Sequence, residues 1–163
     1  MAAVDSDVTP NPRGGQFELL ETLDYDNGAI DIVNRALQVP PWATHAKFVI
    51  DITITGTTPL FDFVIYGANL ANGRYGATLE TTDIFLLGGV TAAITQLTTD
   101  GSSPIITIDL GPDLTLDTTG SATADCGYAW PVVLPAQLIY RYTMDTTTAD
   151  EDYNGTISVY WRA

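Results

Sequence analysis

The chain has one histidine and one cysteine, and a search for catalytic chemistry begins with these two residues. His45 directly precedes an alternating segment, and no Gly-x-Ser-x-Gly motif is present to expose a serine nucleophile. Nucleophilic hydrolases need a base beside the nucleophile. We interpret His45 as a solvated or capping residue at the start of a strand, and Cys126 as a small core or loop residue. The sequence therefore predicts no catalytic residue, no cofactor-binding residue and no enzyme.

Calcium is the one metal for which the sequence contains a candidate site. In Asp150-Glu151-Asp152-Tyr153-Asn154-Gly155, possible oxygen ligands alternate at Asp150, Asp152 and Asn154, as in the first half of a calcium loop. The position that should carry the closing bidentate glutamate is Trp161. We therefore prefer a hairpin turn between residues 138–144 and 156–162, with acids that keep its tip soluble. No metal is predicted, and calcium is the only cofactor candidate.

A shorter string of the same kind, Asp24-Tyr25-Asp26-Asn27-Gly28, is interpreted in the same way. With twenty acidic residues in the chain, some pair of carboxylates must lie close together. The pair of carboxylates that a glycosidase uses is therefore not a specific signal here.

The charge of the chain excludes two classes of partner. Twenty acids face six bases, and the formal net charge is −14. Such a charge repels phosphate backbones and acidic lipid surfaces, so neither a nucleic acid nor a membrane is expected as a partner. The first residues lack the basic and apolar regions of a signal peptide, and no apolar run approaches the ~18 residues of a membrane span. The protein is expected to be made in a cytoplasm, unless an accessory route exports it.

Hydrophobic residues recur with a period of two from Phe17 onward. The clearest case is residues 47–55, where Phe48, Ile50, Ile52 and Ile54 fall on one face and polar residues fall on the other. Only a strand separates side chains in this way. Turn-forming pairs such as Asn72-Gly73 and Asn154-Gly155 separate the short apolar runs. The pattern predicts an all-β protein with a single antiparallel β-sandwich over residues 17–163, and a jelly-roll arrangement is favoured over an immunoglobulin-like one.

Residues 1–16 differ from the rest of the chain. They carry Pro10, Pro12 and two glycines, with little apolar content, and they are predicted to form an extended N-terminal arm. The alternatives are a loose terminus and an arm that orders against a neighbouring subunit. In the second case Arg13, the only base of the segment, would anchor the arm to a carboxylate or to backbone carbonyls.

Aromatic residues in a small β protein build either a core or a sugar-binding platform. Tyr140, Tyr142 and Trp161 recur at strand spacing, and we predict that they lie in the core. The remaining aromatic residues could build a sugar-binding platform, so a carbohydrate-binding module is an alternative function.

Two short strings give the sequence a resemblance to a known group of proteins. Val39-Pro40-Pro41-Trp42-Ala43 and Leu134-Pro135 each lead into a strand, and residues 155–161 form a C-terminal strand. In these features the chain is similar to small β-sandwich structural proteins of tailed bacteriophages, such as capsid decoration (cement) proteins and short tail or neck proteins. The resemblance implies a virion protein on the outer capsid surface that binds the major capsid protein or other virion proteins. It also implies a homo-oligomer, with a trimer favoured, and the alternatives are a tail or neck protein and a carbohydrate-binding module.

Overall fold

The computed structural model describes residues 15–26, 31–56, 60–68, 84–89, 105–119, 125–145 and 152–163. The described residues form nine β-strands. Their bounds are β1 Gln16–Asp26, β2 Asp31–Gln38, β3 His45–Thr55, β4 Leu60–Ala68, β5 Ile84–Gly89, β6 Ile105–Gly111, β7 Cys126–Pro131, β8 Gln137–Asp145 and β9 Asp152–Arg162. The predicted all-β sandwich is confirmed. No helix long and apolar enough to cross a membrane occurs within these ranges.

The strands form two sheets. Sheet A has the order β1-β9-β3-β6-β7 and sheet B has the order β2-β8-β4-β5. Every pairing is antiparallel except that of β6 with β7, which is parallel and differs from the purely antiparallel prediction. Residues 112–125 join these two strands, and a parallel pair needs a connection of about that length to return the chain to its starting end.

The core lies between the inner faces of the two sheets. In β3 the burial alternates strictly, and Phe48, Ile50, Ile52 and Ile54 are all buried, as predicted. Phe48 packs against the rings of Phe63 and Tyr140, with centroids 5.8 and 6.4 Å away. Such aromatic pairs contribute about 0.5–1.5 kcal/mol each beyond their buried area.

The predicted core positions of Tyr140, Tyr142 and Trp161 are also confirmed, because all three are buried in the same cluster. The predicted arm lies almost wholly outside the described residues, as does Arg13. Gln16, the last residue of the segment predicted as an arm, is the first residue of β1 and pairs with Trp161.

The strand registers give the sandwich two distinct ends. At one end lie residues 39–44, which connect β2 to β3, residues 112–116, which follow β6, and residues 131–136, where β7 ends and leads to β8. We call this the proline end, because it carries Pro40, Pro41, Pro112, Pro131 and Pro135. At the other end Asp26, Asp152 and Thr55 share one register row. We call this the acidic end.

Candidate functional site

His45 lies at the proline end, where β3 begins. Its Nε2 is hydrogen-bonded to Oδ1 of Asp113, and its Nδ1 lies 2.8 Å from Oγ1 of Thr44. The His45 side chain is 12% exposed, so of the two expected roles, a solvated residue and a capping residue, the first does not hold. Both ring nitrogens have partners, and the three residues tie the turn after β6 to the start of β3. The hydrogen bond from His45 holds the pKa of the Asp113 carboxyl below its usual range.

The predicted calcium string does not form a loop in the part that the structure describes. Asp150 lies outside the described residues, whereas Asp152 and Asn154 belong to β9. Gly155 also lies inside the strand, with φ of 150°, and a Cβ there would overlap the carbonyl oxygen of Asp51 on β3. The glycine is therefore required by its positive φ and by the close approach of β3 rather than by a metal loop.

The preferred hairpin between β8 and β9 is also wrong. β8 pairs with β2 and β4 in sheet B, whereas β9 pairs with β1 and β3 in sheet A. The acidic string therefore leads from one sheet to the other. Tyr153 explains this path, because it is fully buried between the sheets and is the first inward-facing residue of β9.

The two acidic strings of the sequence meet in sheet A. The register places Asp24 of β1 opposite Asn154 of β9, and Asp26 opposite Asp152. Within the described ranges, no three His, Cys, Asp or Glu residues come close enough together to hold a metal ion. The pairing of these two strings could not be predicted from the sequence, because they lie more than 120 residues apart and nothing local in either string indicates its partner strand.

The two strings on which the resemblance depends meet at the proline end. The backbone N–H of Val39 donates to the carbonyl oxygen of Ala136 at 3.1 Å, and Nε2 of Gln38 donates to the same oxygen at 2.9 Å. A pocket of about 270 Å³ lies between the two connections. It is lined by Gln38, Val39, Pro40, Pro41, Ala43, Leu134, Pro135 and Ala136. This proline pocket is apolar except for Gln38 and the backbone.

Large exposed hydrophobic side chains surround this end of the sandwich. Val133 is 78% exposed and Leu116 is 57% exposed, and both lie on connections of the proline end. Phe17 and Leu19 are also more than half exposed, and they occupy the part of β1 nearest to this end. These four side chains lie at the two edges of sheet A, with Phe17 and Leu19 on β1 and Leu116 and Val133 beside β7.

Acidic side chains at the proline end accept hydrogen bonds from neighbouring groups. Asp109 accepts a hydrogen bond from Nη2 of Arg162 at 3.2 Å, and Glu18 accepts one from Nε1 of Trp161 at 3.1 Å. Asp117 accepts from the backbone N–H and the hydroxyl of Thr119, and these bonds lower the pKa of its carboxyl. The acids at the proline end are therefore hydrogen-bonded, and of these three Asp109 is paired with a positive charge.

A β-bulge in β1 turns one more acid toward the core. The register shifts between Leu19 and Glu21, so that Glu21 falls opposite the buried Ile157. There Oε1 of Glu21 accepts a hydrogen bond from the Tyr140 hydroxyl at 2.8 Å and another from Nε of Arg35 at 3.0 Å. Because Arg35 and Tyr140 belong to sheet B, this cluster joins the two sheets. Burial, and next the bond to Glu21, raise the pKa of Tyr140.

The fold and its two ends define a class: an all-β sandwich with an apolar, proline-rich end and an acidic end. No protein-family model, no curated protein and no solved structure matches the chain.

Proposed function

We propose that this chain is a virion structural protein, a decoration protein that attaches to the outer surface of a tailed-phage head. The observation that carries the proposal is the contrast between the two ends of the sandwich. Exposed Val133 and Leu116 offer apolar surface at the proline end, where the acids have partners. The acidic end has Asp26 and Asp152 in one register row. An interface needs an apolar, desolvated centre, and a surface carboxylate keeps the outward end soluble.

The strand pairing supports a jelly-roll arrangement within this proposal. β1 pairs with β9, β2 with β8, β3 with β6 and β4 with β5, so the pairs nest around the β4–β5 connection. The nested pairs fold into two sheets of four strands, with β7 added outside β6. Jelly rolls have this eight-stranded form and recur in viral capsid domains. An immunoglobulin-like sandwich would instead have its second, fifth and fourth strands in one sheet.

In this proposal the partner is the major capsid protein, and the proline end is the surface that contacts it. The copies assemble as a homo-oligomer, for which we propose a trimer. The net charge of −14 supports an outward position, because packaged DNA would repel it from an inner one. The mass of the purified protein in solution, measured by light scattering, tests the trimer.

Mass spectrometry of purified particles tests the function itself. We expect the chain to be present in many copies per head. Its absence from particles, or its presence in only a few copies at the tail or neck, contradicts a decoration role.

A matched pair of variants tests the attachment surface. Val133→Asp introduces a charge at the proline end, and Ile32→Asp introduces the same charge at an exposed hydrophobic position of β2 in sheet B. We expect only Val133→Asp to lower the number of copies bound per head, while both variants keep the melting temperature of the wild type. Equal occupancy of the two variants would show that another surface makes the attachment.

A further inference from the structure

One row of side chains crosses the outward face of sheet A and combines aromatic rings with charges. The registers place Phe17 of β1 beside Tyr160 of β9. They also place Lys47 of β3 between Tyr160 and Asp109 of β6. Along their strands Tyr160, Lys47 and Asp109 alternate with buried residues, so the row projects away from the core. At about 4.7–4.9 Å per strand, the row is roughly 14 Å long from Phe17 to Asp109.

The aromatic half of the row is an exposed ring beside a ring that leans over the sheet. The Phe17 side chain is 64% exposed. A Cβ at Gly15 would lie 2.6 Å from the Tyr160 hydroxyl and 2.7 Å from its Cζ, so only a glycine leaves room for this ring. The Tyr160 ring therefore leans across the start of β1 instead of standing away from the sheet. Phe17 and Tyr160 together provide apolar surface for a flat ligand.

The charged half of the row contains a donor that no carboxylate of the described residues occupies. Both oxygens of Asp109 accept from Nη2 of Arg162, at 3.2 and 3.4 Å. Lys47 is the only lysine of the chain, and within the described ranges it forms no ion pair. An ammonium donates hydrogen bonds, and a carboxylate accepts more of them than one guanidinium nitrogen supplies. Lys47 and Asp109 can therefore donate to and accept from hydroxyl groups of a ligand.

This combination favours a sugar over a protein or a nucleic acid. The centre of a protein interface is depleted of lysine and aspartate, whereas Lys47 and Asp109 belong to the two central strands of this face, β3 and β6. A net charge of −14 repels a nucleic acid. A sugar ring has C–H groups on its faces, which pack on aromatic rings, and hydroxyl groups on its rim, which bond to charged side chains.

We propose that the outward face of sheet A binds an oligosaccharide along the row from Phe17 to Asp109. Sugar rings pack on Phe17 and Tyr160, while Lys47 and Asp109 bond to the hydroxyl groups. The site uses strand residues of sheet A rather than the connections of the proline end. The inference therefore goes beyond the proposed function and does not depend on it.

An array of neutral and acidic oligosaccharides, probed with the full-length chain, tests the proposal. The protein is detected through a C-terminal peptide tag, because an amine-reactive label would modify Lys47. We expect binding to a group of structurally related oligosaccharides. A chain that binds none of them overturns the proposal, and so does a chain that binds only other proteins.

Variants of the row locate the site. We expect Phe17→Ala and Lys47→Gln each to weaken binding of the strongest oligosaccharide about tenfold in calorimetric titrations, which corresponds to roughly 1.4 kcal/mol. Leu19→Ala is the matched control, because Leu19 lies on the same strand, is 54% exposed and lies outside the row. It should leave the affinity unchanged. Equal losses for Phe17→Ala and Leu19→Ala would indicate unspecific apolar adhesion and contradict the site.

Conservative variants separate ligand contact from a structural role. Phe17→Trp keeps an aromatic ring and Lys47→Arg keeps a charged donor, so both should bind within a few-fold of the wild type. All variants should keep the melting temperature of the wild type, because the side chains lie outside the core. Loss of binding in Phe17→Trp and Lys47→Arg as severe as in Phe17→Ala and Lys47→Gln would refute the assigned contacts.

Failure of this inference is distinguishable from failure of the proposed function. A chain that is abundant in particles but binds no oligosaccharide is a decoration protein without this site. A chain that binds oligosaccharides but is absent from particles is a carbohydrate-binding protein with another role.

Discussion

Asp26 of β1 and Asp152 of β9 lie directly opposite each other at the acidic end of sheet A. The pair lies beside β3, which places Thr55 next to Asp152 in the same row. The two acidic strings of the sequence therefore come together in sheet A, although they lie at opposite ends of the chain.

Calcium should not change the thermal stability of the protein. The position that would close a calcium loop is Trp161, which is fully buried and donates its indole N–H to Glu18. Melting curves recorded with calcium and with a chelator are expected to superimpose. A large rise in melting temperature with calcium would indicate, through binding linkage, that the facing acids of β1 and β9 hold an ion.

Acidification should weaken the tie between Asp113 and His45. The pKa of Asp113 is lowered in the folded protein by its bond to His45, so the carboxylate form stabilises the fold. That stabilisation is fully present above the unfolded carboxyl pKa of about 3.9 and is lost as the pH falls through the lower folded value. The urea midpoint of the wild type should therefore fall more steeply below pH 4 than that of Asp113→Asn. Parallel curves for the two proteins would contradict this linkage.

Glu21 should contribute to stability through its two donors from sheet B. In Glu21→Ala the buried Tyr140 hydroxyl loses its acceptor, which costs about 1–3 kcal/mol when no other partner replaces it. Tyr140→Phe in the same background removes the unsatisfied hydroxyl and should restore part of the loss. A double-mutant cycle by urea denaturation measures the coupling. Strictly additive effects would mean that the hydrogen bond contributes nothing.

Much of the fold could be predicted from the sequence wherever burial alternates without interruption. In β3 the period of two identifies every inward-facing residue from Phe48 to Ile54. In β1 the same rule fails, because it places Phe17, Leu19 and Leu23 on one face. The bulge at Leu20 leaves Phe17 and Leu19 exposed while Leu23 is buried. A bulge has no reliable signature in a single sequence, because the partner strand determines it.

The candidate site was less predictable than the fold. His45 and Asp113 are 68 positions apart, and their contact depends on the pairing of β3 with β6. The acids of β1 and β9 meet for a similar reason, at opposite ends of the chain. Local patterns identify strands, whereas the choice of partner strands follows from packing of the whole sandwich. The proline-rich strings were visible in the sequence, but the pocket between them was not.

Deletion of residues 1–14 should separate folding from assembly. β1 begins at Gln16, so this deletion leaves every described strand intact, whereas removal of Gln16 as well would break its pairing with Trp161. Residues 1–14 have too little apolar content to contribute much to the core, and a terminal segment without core contacts adds little to domain stability.

We therefore expect the deleted protein to keep nearly the same melting temperature and to bind particles in fewer copies. A deletion that unfolds the domain would show that the segment belongs to the core. Undiminished occupancy on particles would show that the segment is a loose terminus. Arg13→Gln in the full-length chain should reproduce part of the loss of occupancy, because it removes the only positive charge of the segment.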